Sequence, residues 1–365
     1  MSESEIKMPF YAKSTIIIVG LIAFFTMLYI AQDIIIPLIF SIIIAIVLHP
    51  IVNFFVRHRI KRLLAISITI FTTFILISAI GMLFFSQAIK FGQSWPILVE
   101  KFTEIIDQSV SWTSTYFDIK PQNINAWLTK TKSELININT STIGQTLSAV
   151  GNWIIILFLV PVYVFIMLYY HSLLIEFIHK VFSSSDQNKV SEIISQIKSV
   201  IQHYLIGLII EFSIVSTLYT ITLLSLGIDY AILLGIIGGF INVIPYVGGL
   251  VGVALPMMIA LATKSTAWYA VYVMAIYYVI QLIDNNYIVP IIVASKVKIN
   301  ALFSIIVVIA GNALWGISGM FLSIPLLAIV KVIFDHIDPL KPWGFLLGDT
   351  MPSLLKMKLK FGKKV

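Results

Sequence analysis

Long apolar stretches separated by short polar breaks run through most of the chain. Lys13–Ile30 and Ile34–Val56 come first, parted by Gln32 and Asp33. Each approaches the roughly 20 residues that a membrane-spanning helix needs. Pro37 lies in the first turn of the second stretch, where a missing N–H is tolerated. The densest basic cluster, Arg57-His58-Arg59-Ile60-Lys61-Arg62, separates it from a third predicted span, Leu63–Ala88. Trp153–Tyr170 is the fourth, Tyr204–Leu226 the fifth, and a sixth runs from Trp268 to Ala294.

Two polar segments interrupt this pattern. Residues 89–152 are rich in Ser, Thr, Asn and Gln. Within them Leu98, Phe102, Ile105, Ile106 and Val110 recur at helical spacing, with Glu100, Lys101, Glu104 and Asp107 between. This predicts a small extracytoplasmic helical domain, resting on the membrane or on a neighbouring subunit. Pro121 and the stretch Asn137–Thr142 mark breaks in it. Residues 171–202 are amphiphilic. Ser183–Asp186 reads as a helix start, and Val190, Ile193, Ile194, Ile197, Val200 and Ile201 form one apolar stripe. The expected organisation is spans one to three in 1–88, the outer domain in 89–152, and span four with a cytoplasmic amphipathic helix in 153–203. A transport core in 204–334 and a basic cytoplasmic tail in 335–365 complete it.

The core holds two apolar stretches broken at their centres. Ala231–Ala262 carries Asn242-Val-Ile-Pro245-Tyr-Val-Gly248-Gly249 at its middle. One straight helix of that length would be about 48 Å long, too long for a ~30 Å hydrocarbon core. Pro and paired Gly break helices, so a helical hairpin is predicted. Ala301–Lys331 repeats the scheme around Gly311-Asn312-Ala-Leu-Trp315-Gly316-Ile-Ser-Gly319. One span lies between the two, so the hairpins would enter from opposite faces, as an inverted repeat does. Broken helices leave backbone groups unpaired, which a bilayer tolerates only inside protein or beside a wet cavity.

Composition narrows the class. Hydrophobic residues make up 59% and charged residues 11%, with mean hydropathy +0.99. A soluble domain carries about 25% charged residues. A soluble enzyme, a disordered chain and a nucleic-acid-binding domain are therefore excluded. An all-α, polytopic membrane protein is expected, with about six full spans plus two inverted broken-helix hairpins. There is no Cys, which removes disulfides and thiolate chemistry. Met1–Phe10 lacks a basic n-region and cleavage site, so the first stretch reads as a retained anchor. The net charge of +7 matters through its placement. With Arg57–Arg62 in the cytoplasm, the charge-balanced 89–152 segment faces out. The N-terminus and the tail carrying Lys356, Lys358, Lys360, Lys363 and Lys364 then face in.

Five runs carry a resemblance: Leu159–Tyr170, Tyr204-Leu-Ile-Gly207, Asn242-Val-Ile-Pro-Tyr-Val-Gly-Gly249, Asp284-Asn-Asn-Tyr-Ile-Val-Pro290 and Gly316-Ile-Ser-Gly-Met-Phe-Leu-Ser-Ile-Pro325. In order and content they resemble the autoinducer-2 exporter family of bacterial membrane proteins. Leu208 departs from it, standing where many members carry Gln. The resemblance implies a multi-pass secondary transporter or permease of the bacterial cytoplasmic (inner) membrane. Its cargo would be a small polar solute such as autoinducer-2, or Na⁺ exchanged for protons.

Candidate residues follow from polarity out of place. Glu211 lies two turns inside the fifth span, where a charge costs roughly 2.5–3.5 kcal/mol and needs a partner, a proton or water. It reads as a coupling group or as a polar anchor between helices. Gln281, Asp284, Asn285 and Asn286 form the richest polar cluster. Their oxygens suit a hard cation or a polyol, or else cap a span end near Pro290. Asn242, Pro245, Gly248, Gly249, Asn312, Gly316 and Gly319 read as hairpin tips that line or gate a path, or as small residues that let helices approach. His171, His179 and Glu176 lack zinc spacing, so no metal and no cofactor is expected. No Gly-Lys-Ser/Thr loop for ATP and no catalytic constellation is found. Expected partners are the lipid bilayer, a small polar solute or cation, and further copies of the chain, with no nucleic acid. A membrane scaffold is the reading from another class.

Overall fold

Phe10–Ile30, α1, is apolar on every side and buries none of its residues. Phe10, Ile18, Ile22 and Phe25 all lie open. A soluble fold does not leave such a surface bare, whereas lipid solvates it. The computed structural model describes residues 9–117, 158–182, 187–244, 252–294 and 298–349. Among them the regular structure is helical, joined by short turns, with one isolated bridge pairing Ile299 with Gly348. Five helical stretches are long and apolar enough to cross a membrane, with Ala301–His336 counted as one, or six if Phe158–Tyr169 and His171–Val181, bent by 64°, form one broken span. The chain is an all-α, multi-pass membrane protein.

Helix α2, Gln32–Arg57, turns its small and branched residues Ser41, Ile43, Ala45, Leu48 and Val52 inward. A tight turn with Arg59 in the left-handed region (φ 66°) leads to α3, Arg62–Phe117. At 56 residues, α3 crosses the membrane with Arg62–Ile89 and continues unbroken beyond it. The polar segment therefore begins within a helix. Beyond the apolar part, Phe91 packs edge-on to Tyr230 at 5.4 Å, and Leu98 joins the core around Val215 and Ile259. The part of α3 just past its apolar stretch thus packs against the later helices. Residues 118–157, Ser183–Asp186 and the Lys-rich tail lie outside the described residues.

Phe158–Tyr169 (α4) and His171–Val181 (α5) lead to α6, Gln187–Ser225. Tyr204, Leu208, Glu211, Val215 and Tyr219 are buried along one stripe of α6 at helical spacing. Then come α7 (Ala231–Asn242), α8 (Ala254–Thr263) and α9 (Trp268–Ile283). α9 passes directly into a π-helical segment, Asp284–Ala294, which contains Pro290. α10, Ala301–His336, starts where the Asn300 side chain accepts the Phe303 N–H, and α11 is Lys341–Leu347.

α10 is folded in two. Trp315 (φ −135°, ψ 18°) and Gly316 (φ 60°, ψ −140°) leave helical geometry, and the second of these suits only Gly. Ser323 Oγ donates to Val307 O at 2.8 Å. Sixteen residues of straight helix would separate them by about 24 Å, so the chain reverses. Gly311 and Gly319 face each other across the arms. A Cβ on Gly319 would lie 1.9 Å from Gly311 O. At the bend, Trp315 Nε1 donates to Leu28 O at 3.1 Å, satisfying a carbonyl in the last turn of α1. Pro245, Gly248 and Gly249, at the break between α7 and α8, lie outside the described residues.

Candidate functional site

The site begins with how closely α6 and α7 approach. Gly235, Gly238, Gly239 and Asn242 recur at i, i+3, i+4 and i+7, so they share one face of α7. A Cβ on Gly235 would lie 2.8 Å from the Thr220 backbone nitrogen. One on Gly239 would lie 2.0 Å from Ser216 Oγ. Only glycine permits this contact, the small-residue packing that membrane helices use. The register is antiparallel: moving from Gly235 to Gly239 on α7 matches moving from Thr220 back to Ser216 on α6. Continuing one turn brings Asn242 beside Glu211.

Asp284 completes the group from the start of the π segment. Asn242 Nδ2 donates to Asp284 Oδ2 at 2.8 Å and lies 3.4 Å from Glu211 Oε1. Glu211, Asn242 and Asp284 are only 4%, 8% and 2% exposed. Two carboxylates thus meet one amide inside the membrane fold. Among the described residues neither forms a salt bridge. Uncompensated buried charge is costly, so such a pair calls for positive charge from elsewhere.

Two of the three members sit at an irregularity. Asn242 is the last residue of α7, ahead of the break. Asp284 opens the π-helical segment, a geometry frequent at functional sites. Glu211 is carried by the unbroken α6, on its buried stripe.

Other nominated residues lie elsewhere. Gln281, half-buried, accepts from Tyr219 Oη at 3.5 Å and donates to Asn285 at 3.2 Å. Asn285 and Asn286 are exposed, because consecutive helical residues turn to different faces, and Asn286 bonds back to Leu282 O. Pro290 is exposed on the same segment. Asn312 and Gly316 are exposed, whereas Gly319 is buried between the arms of α10. The structure brings Glu211, Asn242 and Asp284 together, with Gln281 at the edge, and leaves Asn285, Asn286 and Asn312 outside the group.

Three side chains that sequence reasoning did not nominate line the same interface. Tyr219 and Tyr277 stack at 4.0 Å, nearly parallel. Ser216 faces Gly239. Among the described residues, three buried side-chain polar atoms lack a hydrogen-bond partner: Ser216 Oγ, Tyr277 Oη and Asp284 Oδ1. They lie on α6, α9 and the π segment, the third belonging to one of the two carboxylates. Ser and Tyr are common in spanning helices and give no signal alone. The Gly235-x-x-Gly238-Gly239 spacing ahead of Asn242 was the available cue.

A family model described as the AI-2E family transporter matches residues 18–338, most of α1 through to the turn after α10. The chain belongs to the AI-2E transporter family. Its members include relatives at modest identity over most of their length. The provisionally named transport protein YrrI of Bacillus subtilis is 25% identical over 324 residues, 84% of this chain and 87% of its own. The AI-2 transport protein TqsA of Escherichia coli is 26% identical, covering 87% and 90%. The provisionally named transport protein YhhT of Escherichia coli is 23% identical, covering 88% and 90%. This AI-2E chain is accordingly a membrane transporter in contact with the bilayer, from a family of transporters and permeases, not of enzymes. The matched region contains Glu211, Asn242 and Asp284, so the buried group lies within the family's shared fold.

Proposed function

We propose that this AI-2E chain is a secondary transporter whose coupling site is Glu211, Asn242 and Asp284. The observation that carries this is the single amide of Asn242 within reach of two buried carboxylates that lack a basic partner among the described residues. A proton or a monovalent cation entering between the carboxylates supplies the missing charge. The open Oδ1 of Asp284 and the hydroxyls of Ser216 and Tyr277 offer further polar contacts along the way. Hard cations favour such oxygen donors.

The cargo on this reading is a small polar solute. AI-2 is the cargo in the name of TqsA, and it is the first to test here. A second reading is favoured by the carboxylate pair itself: exchange of Na⁺ for protons without a solute. In both, the regions around the α7–α8 break and the fold in α10 act as opposed hairpins that expose the site in turn. The protein then sits in the bacterial cytoplasmic membrane with both termini inside, as a homo-oligomer.

Liposome reconstitution tests the proposal. Flux of an autoinducer-2 furanone and of Na⁺ is followed with and without an imposed pH gradient. Solute flux that depends on the gradient supports the first reading, and Na⁺–proton exchange without solute flux supports the second. No flux of either by folded protein, or flux unchanged in Glu211→Gln and Asp284→Asn, would falsify the assigned site.

A further inference from the structure

A second polar cluster lies far from the carboxylates, where α2, α3, α4, α5 and the start of α6 converge. His49 and His171 stack at 4.2 Å. His49 Nδ1 lies 3.1 Å from Lys198 Nζ and 3.2 Å from Asn53 Nδ2. Both neighbours are donors, so Nδ1 accepts and Nε2 carries the ring hydrogen. Arg62, at the first turn of α3, donates to Leu168 O at 2.9 Å and to Ser172 Oγ at 3.2 Å. That ties it to the end of α4 and the start of α5. The charges of Lys198 and Arg62 both act on the two rings.

The cluster has cations and no anion. Among the described residues neither Lys198 nor Arg62 forms a salt bridge. Lys198 has three N–H donors and Arg62 five, and the bonds above use only some of them. Arg57, Arg59 and Lys61 stand exposed beside Arg62 in the same turn, which adds positive potential. Two cations held together by neutral partners repel one another unless an anion joins them.

An apolar groove lies between α3 and α4, farther along both helices from this cluster. Its volume is about 810 Å³, and its lining includes Ile70, Phe71 and Phe74 of α3 with Pro161, Val162 and Phe165 of α4. Cavities of ~300–1,000 Å³ are typical of ligand sites. Counting along α3 at 1.5 Å per residue, the groove lies about 8 to 18 Å from Arg62. One leaflet's hydrocarbon is about 15 Å deep, so the groove occupies acyl-chain depth below a headgroup-level cationic cluster.

We infer that Arg62, Lys198 and the His49–His171 pair hold the phosphate of an anionic phospholipid whose acyl chain lies in the α3–α4 groove. The guanidinium and ammonium neutralise the headgroup, and the His49 Nε2–H supplies a neutral donor. Basic pockets between helices on the cytoplasmic side are suited to such headgroups. Zwitterionic lipids carry their own cation and gain less from the cluster. The lipid would tie α3, α4 and α5 to the part of α6 that carries Lys198, about 20 Å along that helix from Glu211.

The test uses the full chain purified in detergent, with native mass spectrometry counting retained phosphatidylglycerol or phosphatidylcholine of matched chains. Inorganic phosphate serves as a third probe. Wild type should retain phosphatidylglycerol preferentially, and more weakly at higher ionic strength. Each positive charge removed should reduce that preference about fivefold, and Arg62→Gln with Lys198→Gln about 25-fold. Val162→Trp, which fills the groove, should lower retention of both lipids. Preference unchanged in the double variant overturns the proposal. So does displacement of phosphatidylglycerol by inorganic phosphate with Val162→Trp silent, which would mean a site for free anions. A groove buried between copies of the chain, with no lipid retained, overturns it too. If the double variant does not fold, preference in wild type that ignores salt is equally fatal.

Discussion

Replacing Asn242 with Leu removes the amide that reaches Asp284 at 2.8 Å and Glu211 at 3.4 Å. Hydrogen bonds to charged groups contribute roughly 1.5–3 kcal/mol each, and the 3.4 Å contact is long, so unfolding in detergent should register the loss of the short bond, about 1.5–3 kcal/mol. Asp284→Asn should behave oppositely. It removes an uncompensated buried charge while keeping the shape, so thermal stability should hold or rise while flux falls to background. A variant that loses both fold and flux would assign Asp284 to structure instead. These three residues were legible in the sequence because a carboxylate or amide within an apolar stretch is conspicuous. Asn285, Asn286 and Asn312 are just as conspicuous, yet exposed. Composition locates a polar residue along a helix but not around it, and the π geometry after Ile283 shifts the angular phase on which that depends. Ser216 and Tyr277 were hidden for the reverse reason, being ordinary in spanning helices.

At the scale of elements, close glycine contacts decide which helices can meet. Gly319→Ala would press its methyl into the Gly311 carbonyl and should destabilise the fold by about 1–3 kcal/mol, the usual cost of overpacking. A Cβ on Gly20 of α1 would meet nothing within 4 Å among the described residues, so Gly20→Ala should be neutral or stabilise by up to ~1 kcal/mol. Thermal unfolding of the two variants side by side checks the contrast, and equal effects would contradict the packing described for α10. The break at Trp315–Gly316 could be anticipated from its glycines and from a length unsuited to one span. The course of α3 could not. The polar composition after Ala88 marks where the chain leaves the hydrocarbon, but backbone hydrogen bonds are local and carry the helix on to Phe117. Leaving the membrane and ending a helix are separate events.

For the molecule as a whole, the basic Arg57–Arg62 turn and the α6–α7 turn should open to opposite sides of the membrane. The chain has no Cys, so single cysteines report cleanly. Arg59 and Asp229 are both exposed. An impermeant maleimide should label Asp229→Cys in intact cells lacking their outer barrier, and Arg59→Cys only after permeabilisation. The reverse pattern would invert the topology and, with it, the leaflet that supplies the lipid. The carboxylate pair at the meeting of α6, α7 and the π segment has an electrical consequence as well. Carried inward or outward relative to the bilayer, it is a mobile charge: −2 empty, −1 with one monovalent cation, neutral with two. Each elementary charge moved through the full field is worth ~2.3 kcal/mol per 100 mV. If the pair is the coupling site proposed above, the step of the cycle that responds to membrane voltage counts the cations that Glu211 and Asp284 hold as they move.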